Sequence, residues 1–397
     1  MKRDTKRAIS ISCLSIIIAC VIFSWENYLA ITGRLSWQIY DKFIELDSSF
    51  KNQPRAIKDI LLVTIDNDTL NNVDSRWPYP RSYFAKIITN LKDAGAKIIA
   101  FDFVFLGKSD PQDDALLKKA LNYGKVILAT SINGKGELEF STTPDINSNA
   151  TTGIITKFTG PDGVIRQDLT YMNSANDPAK AFLSWDMQIL SAAKNIDWRT
   201  FTSYDGVINF QNSSGEKWSI PVTEDTKTFL IRYRCHTTDF PRLSFYKVLK
   251  GDFDPVAVKD KIVLIGLASS LFTDVHITPI GWLPGITLNA NAFLTLYAHD
   301  FIKKVSSYWE WLIVILGVLI SAAVNAYFKF LKALLIVSLE VISFFIISYL
   351  FLCAGFTWNY AFPPLAFIIV PLAARIIFDA CAHLFLARQM KKSGISF

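Results

Sequence analysis

The sequence predicts an α/β fold with a mainly parallel sheet, flanked by helices and carrying an antiparallel insertion, joined to four transmembrane helices. Two apolar runs, residues 60–65 and 97–103, enclose an amphipathic segment that ends at Gly95. Both runs are apolar on consecutive residues, which is typical of strands covered on both faces in a parallel sheet. Four long apolar stretches, one near the N-terminus and three near the C-terminus, predict the membrane helices.

The segment between the two apolar runs predicts a crossover helix. Pro80 suits a first helical position, because the N–H that proline lacks would have no partner there. Gly95 supplies the left-handed residue that ends a helix. Between them, apolar side chains recur three and four residues apart, at Tyr83, Phe84, Ile87, Ile88 and Leu91. The segment therefore forms a strand, crossover helix, strand unit with its two neighbours.

Turn and strand signals continue through the rest of the chain between the membrane segments. Glycine, asparagine, serine and threonine dominate residues 133–171, and Gly-Pro-Asp-Gly at 160–163 is a hairpin signal. We expect the antiparallel insertion there. Further strands are predicted at 125–130, 137–140, 153–158, 164–171, 207–210, 229–233 and 261–266, and helices at 26–50, 113–122, 179–193, 243–249 and 286–298.

The chain has 397 residues, 51% of them hydrophobic, and the apolar excess lies at its two ends. Residues 309–328, 333–356 and 361–386 are each long enough to cross a hydrocarbon layer of about 30 Å. Residues 8–24 follow a basic N-terminal tail and are shorter, so a cleaved signal peptide is the alternative there. No small-x-small cleavage site follows them, and we expect an uncleaved first helix.

Basic residues beside the apolar stretches predict the orientation, because Lys and Arg are enriched in cytoplasmic segments. Both terminal tails are basic, and so is the turn that contains Lys329 and Lys332. These basic residues outnumber Lys303 and Lys304, which flank the opposite side of the predicted membrane. We therefore expect both termini to be cytoplasmic. The predicted parts are a tail with the first helix at 1–25, an external domain at 26–307, a three-helix bundle at 308–387 and a short cytoplasmic tail at 388–397.

Composition argues against several classes of protein. Of the five cysteines only Cys235 lies in the external domain, so that domain has no internal disulfide, and no Cys or His cluster has metal-site spacing. The net charge of +6 is small and lies largely at the membrane flanks, so nucleic acid is not an expected partner. We expect no metal and no cofactor.

Charged residues follow the predicted strands at the edge where open parallel sheets bind ligands. A long loop after the strand at 261–266 adds further polar residues. The candidate ligand-binding residues are Asp66, Asp68, Arg76, Arg81, Asp102, Asp274 and His276. In the alternative interpretation, Asp66, Asp68 and Asp102 accept hydrogen bonds from backbone N–H groups and pair with Arg76 or Arg81, and so hold the proline-rich loop in place.

Four ionisable residues lie inside the apolar stretches near the C-terminus. Arg375, Asp379 and His383 are spaced four apart and share one helix face, and Glu340 lies in the preceding stretch. Charges in hydrocarbon are rare and normally face protein. We expect an ion pair between Arg375 and Glu340 that fixes the bundle, with pairing to Asp379, a proton pathway or a contact with a partner's membrane helix as alternatives.

Several stretches occur in the order found in a known family. They read TIDNDTL at 64–70, RWPYPR at 76–81, AGAKIIAFDFVF at 94–105, GPDGVIR at 160–166, KIVLIG at 261–266, TDVHITP at 273–279 and LPGITLNANAFLTL at 283–296. With these stretches the chain resembles the type 2 CHASE domain family, the extracellular sensory module of bacterial cyclases and kinases. The resemblance covers nearly the whole external domain, and one helix before and three after it are similar to the family's arrangement.

The resemblance implies a periplasmic sensory domain in a bacterial inner-membrane protein, without an agreed ligand. Family members usually continue into a cyclase or kinase domain, whereas here residues 388–397 follow the last apolar stretch. We therefore expect a non-enzymatic homo-oligomer in the lipid bilayer that binds a periplasmic ligand or protein and signals to a separately encoded partner. The alternative is a structural component of an oligomeric, ring-like assembly.

A second alternative is an enzyme. Asp66-Asn67-Asp68-Thr69-Leu70 after an apolar strand resembles the first motif of haloacid-dehalogenase-type phosphatases, which implies an Mg²⁺-dependent phosphatase with Asp66 as nucleophile and Asp68 as acid and base. Such enzymes need a Gly-Asp pair after another buried strand. Gly251-Asp252 follows a predicted helix instead, so this interpretation ranks last.

The predicted orientation can be tested with a reporter enzyme that is active only in the periplasm. Fused after Phe397, the reporter should be silent because basic residues keep that end in the cytoplasm. Inserted near Asn147 in the external domain, it should be active. Activity at Phe397 would contradict the orientation.

Overall fold

The computed structural model divides into two compact units. A helical unit is formed by Met1–Phe43 and Lys303–Phe397, and an α/β unit by Ile44–Ile302. The residues that the structure describes are 2–24, 30–50, 53–107, 109–132, 137–140, 150–173, 181–223, 225–269, 271 and 273–392.

Within those ranges the chain forms eleven α-helices. They are α1 (Lys2–Ser24), α2 (Ala30–Ser49), α3 (Asn67–Asn72), α4 (Arg81–Asp93), α5 (Pro111–Leu121), α6 (Trp185–Lys194), α7 (Phe245–Lys250), α8 (Gly285–Tyr297), α9 (Ser307–Tyr327), α10 (Phe330–Cys353) and α11 (Phe362–Lys392).

The same ranges contain eighteen strands. They are β1 (Ile60–Ile65), β2 (Ile98–Phe101), β3 (Val126–Ile132), β4 (Leu138–Phe140), β5 (Thr151–Ile154), β6 (Gln167–Leu169), β7 (Tyr171–Asn173), β8 (Ala181–Leu183), β9 (Thr202–Tyr204), β10 (Val207–Gln211), β11 (Lys217–Pro221), β12 (Thr228–Leu230), β13 (Arg242–Ser244), β14 (Ile262–Leu267), β15 (Val275–Thr278), β16 (Gly281–Pro284), β17 (Lys303–Lys304) and β18 (Phe356–Thr357).

Seven of these strands form the main sheet of the α/β unit. Its order is β13-β1-β14-β2-β3, and β3 pairs with both β4 and β5. Every pair is parallel except β3 with β4. The carboxyl ends of the parallel strands therefore meet at one edge, which confirms the predicted fold class for this unit.

Both faces of the sheet are covered, as the consecutive apolar residues predict. Every residue of β1 and β2 is buried. On one face, alternate strand residues such as Leu61 and Val63 join a core with α4, α5 and α7. Next to β14, α8 packs at contact distance, since a Cβ added to Gly266 would lie 2.7 Å from Cβ of Ile286.

The antiparallel insertion follows β5. Hydrogen bonds from Gly163 N to the Gly160 carbonyl and from Gly160 N to the Val164 carbonyl, each 2.9 Å long, close the predicted turn. The strand after the turn, β6, pairs with β12, and β7 pairs with β8. A separate antiparallel sheet has the order β11-β10-β9.

Several predicted elements differ from the observed ones. The strand predicted at 153–158 is observed as β5 at 151–154, and it pairs in parallel with β3 of the main sheet instead of belonging to the antiparallel insertion. Two further differences have local causes. The strand predicted at 229–233 ends at Leu230, because the N–H groups of Arg232 and Arg234 donate to side chains of α8 rather than to a neighbouring strand. The helix predicted at 179–193 begins only at Trp185, where Ser184 caps it by accepting from Met187 N. Residues 181–183 form β8 instead.

The prediction of four transmembrane helices is wrong in its count. Three helices among the described residues are long and apolar enough to cross a membrane: Ser307–Tyr327, Phe330–Cys353 and Phe362–Phe385. In α1 the apolar part is only Ile9–Ala19, because charged residues occupy the first turns of that helix. The three membrane-capable helices all follow the α/β unit in sequence.

The helical unit packs through small residues. Ile11 of α1 lies against Ala322 of α9 and Ala374 of α11. A Cβ added to Gly317 in α9 would overlap the ring of Phe367 in α11, so glycine is needed for this close approach. The turn between α10 and α11 is held where β17 pairs with β18.

Candidate functional site

The candidate site lies at the carboxyl edge of the main sheet and starts from Asp102, the residue after β2. This side chain is 7% exposed. Its Oδ1 accepts a 2.6 Å hydrogen bond from Asn289 Nδ2 on α8. Its Oδ2 is buried and has no hydrogen-bond partner among the described residues.

Burial sets the charge state of Asp102. Removal from water penalises the carboxylate, and the nearby Asp274 carboxylate adds repulsion, so the pKa of Asp102 rises well above its ordinary value. Lys157 and the Asn289 amide oppose the shift but do not outweigh it. Burial therefore stabilises the protonated form of this carboxyl group relative to that of an exposed aspartate.

Asp274 reaches the same region from the loop after β14. A Cβ added to Gly285, the first residue of α8, would lie 2.6 Å or less from both carboxylate oxygens of Asp274. The carboxylate thus occupies the positive end of the helix dipole, where a negative charge is stabilised. His276 Nε2 lies 2.9 Å from Asp274 Oδ1, and both side chains are about one-third exposed.

A buried ammonium group holds two further aspartates at this edge. Lys157 Nζ lies 2.6 Å from Asp168 Oδ2 and 3.1 Å from Asp186 Oδ2, and all three side chains are at most 7% exposed. Burial lowers the pKa of Lys157, but the two carboxylates outweigh that effect and raise it above its ordinary value. Asp186 Oδ1 is another buried oxygen without a partner in the described residues.

The pKa of Asp186 is also raised well above its ordinary value. Burial is the main cause, Lys157 opposes the shift, and the neighbouring Asp168 carboxyl adds to it. One ammonium cannot neutralise every carboxylate here, so the site favours bound protons. We call this group the carboxylate cluster and define it as Asp102, Lys157, Asp168, Asp186, Asp274 and Asn289.

The other predicted ligand residues lie outside the carboxylate cluster. Asp66 caps α3: its Oδ1 accepts from Thr69 N, Thr69 Oγ1 and Ser244 Oγ, each at 2.9 Å. Its Oδ2 accepts from Thr64 Oγ1 at 3.1 Å. In the proposed phosphatase nucleophile, Oδ1 therefore caps a helix and Oδ2 accepts a hydrogen bond from β1.

Neither arginine of the proline-rich loop pairs with Asp66, Asp68 or Asp102 as one interpretation expected. Arg81 instead binds Asp114 of α5 at 2.6 Å and donates to the carbonyl oxygens of Leu106 and Gly107. Arg76 is exposed. Asp68 is exposed too, and it accepts a hydrogen bond from Asn72 one turn later in α3.

A second group of buried charges lies in the same unit. Asp47 near the end of α2 accepts a hydrogen bond from Arg232 Nη2 at 3.2 Å, and its Oδ2 forms an ion pair with Arg234 Nη1, also at 3.2 Å. Asp300, three residues after α8, binds Arg232 at 2.9 Å and Arg234 at 2.5 Å. We call these four residues the arginine clamp. It ties the end of α2 to the segment that leads towards Lys303, so it joins both connections to the helical unit.

Helix α8 contacts both charged groups. Asn289 donates to Asp102 in the carboxylate cluster. Asn291, two residues later, accepts from Arg234 N and Cys235 N at 3.0 and 3.1 Å, and its Nδ2 donates to the Cys235 carbonyl. Thr295 Oγ1 accepts from Arg232 N at 3.0 Å. These bonds therefore link α8, which also contacts the cluster, to the backbone that carries both clamp arginines.

Sequence reasoning missed several of these residues. Asp186 carries the clearest signal, because it stands within the apolar run Leu183-Ser184-Trp185-Asp186-Met187. Lys157 and Asp168 lie in the insertion and have no comparable signal. Asn289 is polar on a helix whose residues from Gly285 to Leu296 are all buried.

The polar residues of the helical unit do not form the expected pair. Glu340 Oε2 accepts a 2.6 Å hydrogen bond from Ser321 of α9. Arg375 Nε lies 3.9 Å from Asp379 Oδ2 in the same helix. The expectation that Arg375 pairs with Glu340 is therefore wrong, because each of the two finds a nearer partner.

The chemistry available to the carboxylate cluster follows from its acceptor oxygens that receive no hydrogen bond from the described residues. Asp102 Oδ2, Asp186 Oδ1 and Asn289 Oδ1 are buried oxygens without partners in the part of the chain that is described. Across those same residues, no three His, Cys, Asp or Glu side chains are placed to hold a metal ion. The cluster is suited to take up protons or to accept hydrogen bonds from a ligand.

Comparison with known proteins identifies the family of the chain. The family model described as the CHASE2 domain matches residues 15–324, which is more than half of the chain. No curated protein and no solved structure matches.

The raised pKa of Asp102 predicts a specific pH dependence of stability. Because the folded pKa exceeds the unfolded one, near 4, proton binding stabilises the fold at low pH, and this contribution is lost as pH rises through the folded pKa. Asp102→Asn keeps the acceptor for Asn289 without the charge. The full chain in detergent should therefore gain on the order of 1–3 kcal/mol at pH 8, and less at pH 5.

Thermal unfolding followed by tryptophan fluorescence measures this difference. Asp68→Asn is the matched control, because Asp68 is an exposed aspartate, and it should not change the pH profile. A destabilised Asp102→Asn variant at pH 8 would contradict the assigned charge state.

Proposed function

Because the chain belongs to the CHASE2 domain family, a family of periplasmic sensory domains, we propose that it signals through its membrane helices to a separately encoded partner. The sensory domain and three membrane-capable helices fit a membrane sensor. The proposal places the protein in the bacterial inner membrane, with the α/β unit in the periplasm and the C-terminus in the cytoplasm. It acts by binding, not by catalysis.

The observation that carries the proposal is the position of α8 between two groups of buried charge. At one end, Asn289 binds Asp102 of the carboxylate cluster. Further along, Asn291 and Thr295 bind the backbone of Arg234 and Arg232 in the arginine clamp. A sensor needs a physical connection between its input and the elements that enter the membrane, and α8 provides one.

The carboxylate cluster is the input in this proposal. Three of its buried oxygens lack hydrogen-bond partners among the described residues, and the pKa values of Asp102 and Asp186 are raised, so a bound ligand or a change in protonation would alter the interactions of Asn289 and of the α8 N-terminus. Ligands shift an equilibrium only by binding two states unequally. The cluster oxygens that lack hydrogen-bond partners supply that difference, because a donor group of a ligand can bind them in one arrangement of α8 and not in another.

The arginine clamp is the output of the α/β unit. Two arginines and two aspartates balance in charge, and Asp47 and both arginines are buried. Removing one buried partner from such a group lowers the free energy of unfolding by about 3–5 kcal/mol. The clamp therefore moves as one body, and a shift of Arg232 and Arg234 displaces the end of α2 together with Asp300.

Hydrogen exchange of the full chain in lipid nanodiscs tests this connection. At pH 8, Asp102→Asn removes the cost of either ionising or protonating this buried carboxyl group, so it should hold α8 more firmly. Exchange of the amides of Arg232, Arg234 and Cys235 should then slow by about fivefold, as for a gain of about 1 kcal/mol. Strands β9 to β11, which do not contact α8 through these bonds, should not change.

Asp68→Asn serves as the control, because it removes an equal charge at an exposed position. If Asp102→Asn changes exchange only around residues 98–104 and 285–290, the cluster is not connected to the clamp. That result would favour the structural alternative, in which the α/β unit assembles without transmitting a signal.

A further inference from the structure

A groove lies between α4 and α5, the two helices that cover one face of the main sheet. Its volume is about 840 Å³, within the range of roughly 300–1,000 Å³ that small-molecule sites occupy. From α4 it is lined by Ser82, Ala85, Lys86, Thr89 and Lys92, which recur three and four residues apart and so share one face of that helix. The groove is therefore built on two regular helices, apart from the carboxylate cluster and the arginine clamp.

Three ammonium groups line this groove. Lys86 and Lys92 belong to α4 and Lys119 to α5, and all three side chains are exposed. Among the described residues no Asp or Glu lines the groove, and none forms an ion pair with these lysines. Asp114 of α5 pairs with Arg81 instead. Three positive charges around one concave surface create a potential that attracts anions.

The ring of Tyr123 adds to the positive charge at the groove. Its hydroxyl group donates a 2.9 Å hydrogen bond to the Ala96 carbonyl oxygen, which fixes the position of the ring. Lys92 Nζ lies 5.9 Å from the ring centroid and Lys125 Nζ lies 5.8 Å from it, distances at which an ammonium group is attracted to an aromatic ring. Lys125 does not line the groove itself, but it supplies a fourth positive charge beside it.

The rest of the lining includes apolar side chains. Ile88 and Ala85 are buried and form the floor of the groove between the two helices. Leu116 of α5 is 50% exposed, so a large apolar side chain is available at the wall. A ligand that fits this surface carries negative charge and also has an apolar part.

We propose that the groove between α4 and α5 binds an organic phosphate, whose phosphate oxygens contact Lys86, Lys92 and Lys119 and whose apolar part lies against Leu116. A phosphate group has three acceptor oxygens and can bind ammonium groups from two helices at once. A carboxylate offers two oxygens in one plane, which suit the planar fork of arginine, and no arginine of the described residues lines the groove.

Soluble phosphate esters and anionic lipid headgroups share this chemistry. The proposal goes beyond the signalling route through α8, because none of its residues belongs to that route. Loss of the connection between the cluster and the clamp would leave the groove unchanged, and an empty groove would leave that connection unchanged.

Protection of the lysines from acetylation tests the site. The full chain in phosphatidylcholine nanodiscs is treated with a limiting amount of an amine-acetylating reagent, and mass spectrometry gives the rate at each lysine. Phenyl phosphate should slow acetylation of Lys86, Lys92 and Lys119 together. Lys118 is the internal control, because it is exposed on the same helix and does not line the groove. Its rate should not change.

Two further arms identify the source and the chemistry of the ligand. If the phosphate belongs to a lipid headgroup, nanodiscs that contain phosphatidylglycerol should protect the same three lysines without phenyl phosphate. Benzoate, which has a similar ring but a carboxylate, should need a higher concentration than phenyl phosphate for half protection. Equal protection of Lys118, no protection by phenyl phosphate or phosphatidylglycerol, or protection by benzoate at the same or a lower concentration would overturn the proposal.

A pair of neighbouring substitutions tests whether the lysines act on one ligand. Lys119→Gln should raise the concentration of the protecting phosphate that half-protects Lys86 and Lys92 by about tenfold, as for the loss of one hydrogen bond to a charged group. Lys118→Gln removes an equal charge one residue away and should change that concentration by less than about twofold. Equal effects of the two substitutions would show general attraction of anions and contradict a defined site. If a variant does not accumulate, the protection pattern of the unaltered chain decides alone.

Discussion

The architecture of the α/β unit depends on one buried helix. All residues of α8 from Gly285 to Leu296 are buried, so each polar side chain on it must find its partner inside the protein. Asn289 binds Asp102, and Asn291 and Thr295 bind the backbone around Arg232 and Arg234. An apolar helix could slide against the sheet, whereas these bonds fix the register of α8 against two separate groups of charge.

The two groups differ in their charge balance, and this difference gives each a role. The arginine clamp has two arginines and two aspartates and is neutral as it stands. The carboxylate cluster sets one lysine, Lys157, against four aspartates, and the pKa values of Asp102 and Asp186 are raised. A neutral group of mutual ion pairs resists change, whereas an unbalanced group responds to protons or ligands. The cluster therefore suits the input and the clamp suits the output.

Sequence predicted the sheet well because its signal is local. Consecutive apolar residues predicted β1, β2 and β14. The structure brings three of the candidate ligand residues, Asp102, Asp274 and His276, near one another, and their role in binding stays a prediction. Asp66 has the same sequence context as Asp102, yet it caps α3, since that depends on Thr69 and Ser244. Lys157, Asp168 and the clamp could not be predicted, because their partners come from distant segments. The sequence prediction counted the first helix as a membrane span, but its apolar part is shorter than that of the three membrane-capable helices.

The central claim, that α8 couples the carboxylate cluster to the arginine clamp, is tested most directly by a double-mutant cycle. Asp102→Asn at the cluster and Asp47→Asn at the clamp share no partner residue. Their effects on the unfolding free energy of the full chain should add within about 0.5 kcal/mol if the sites are independent. The account predicts an interaction energy above about 0.5 kcal/mol, larger at pH 8 than at pH 5, where Asp102 is more fully protonated. Additive effects at both pH values would contradict it.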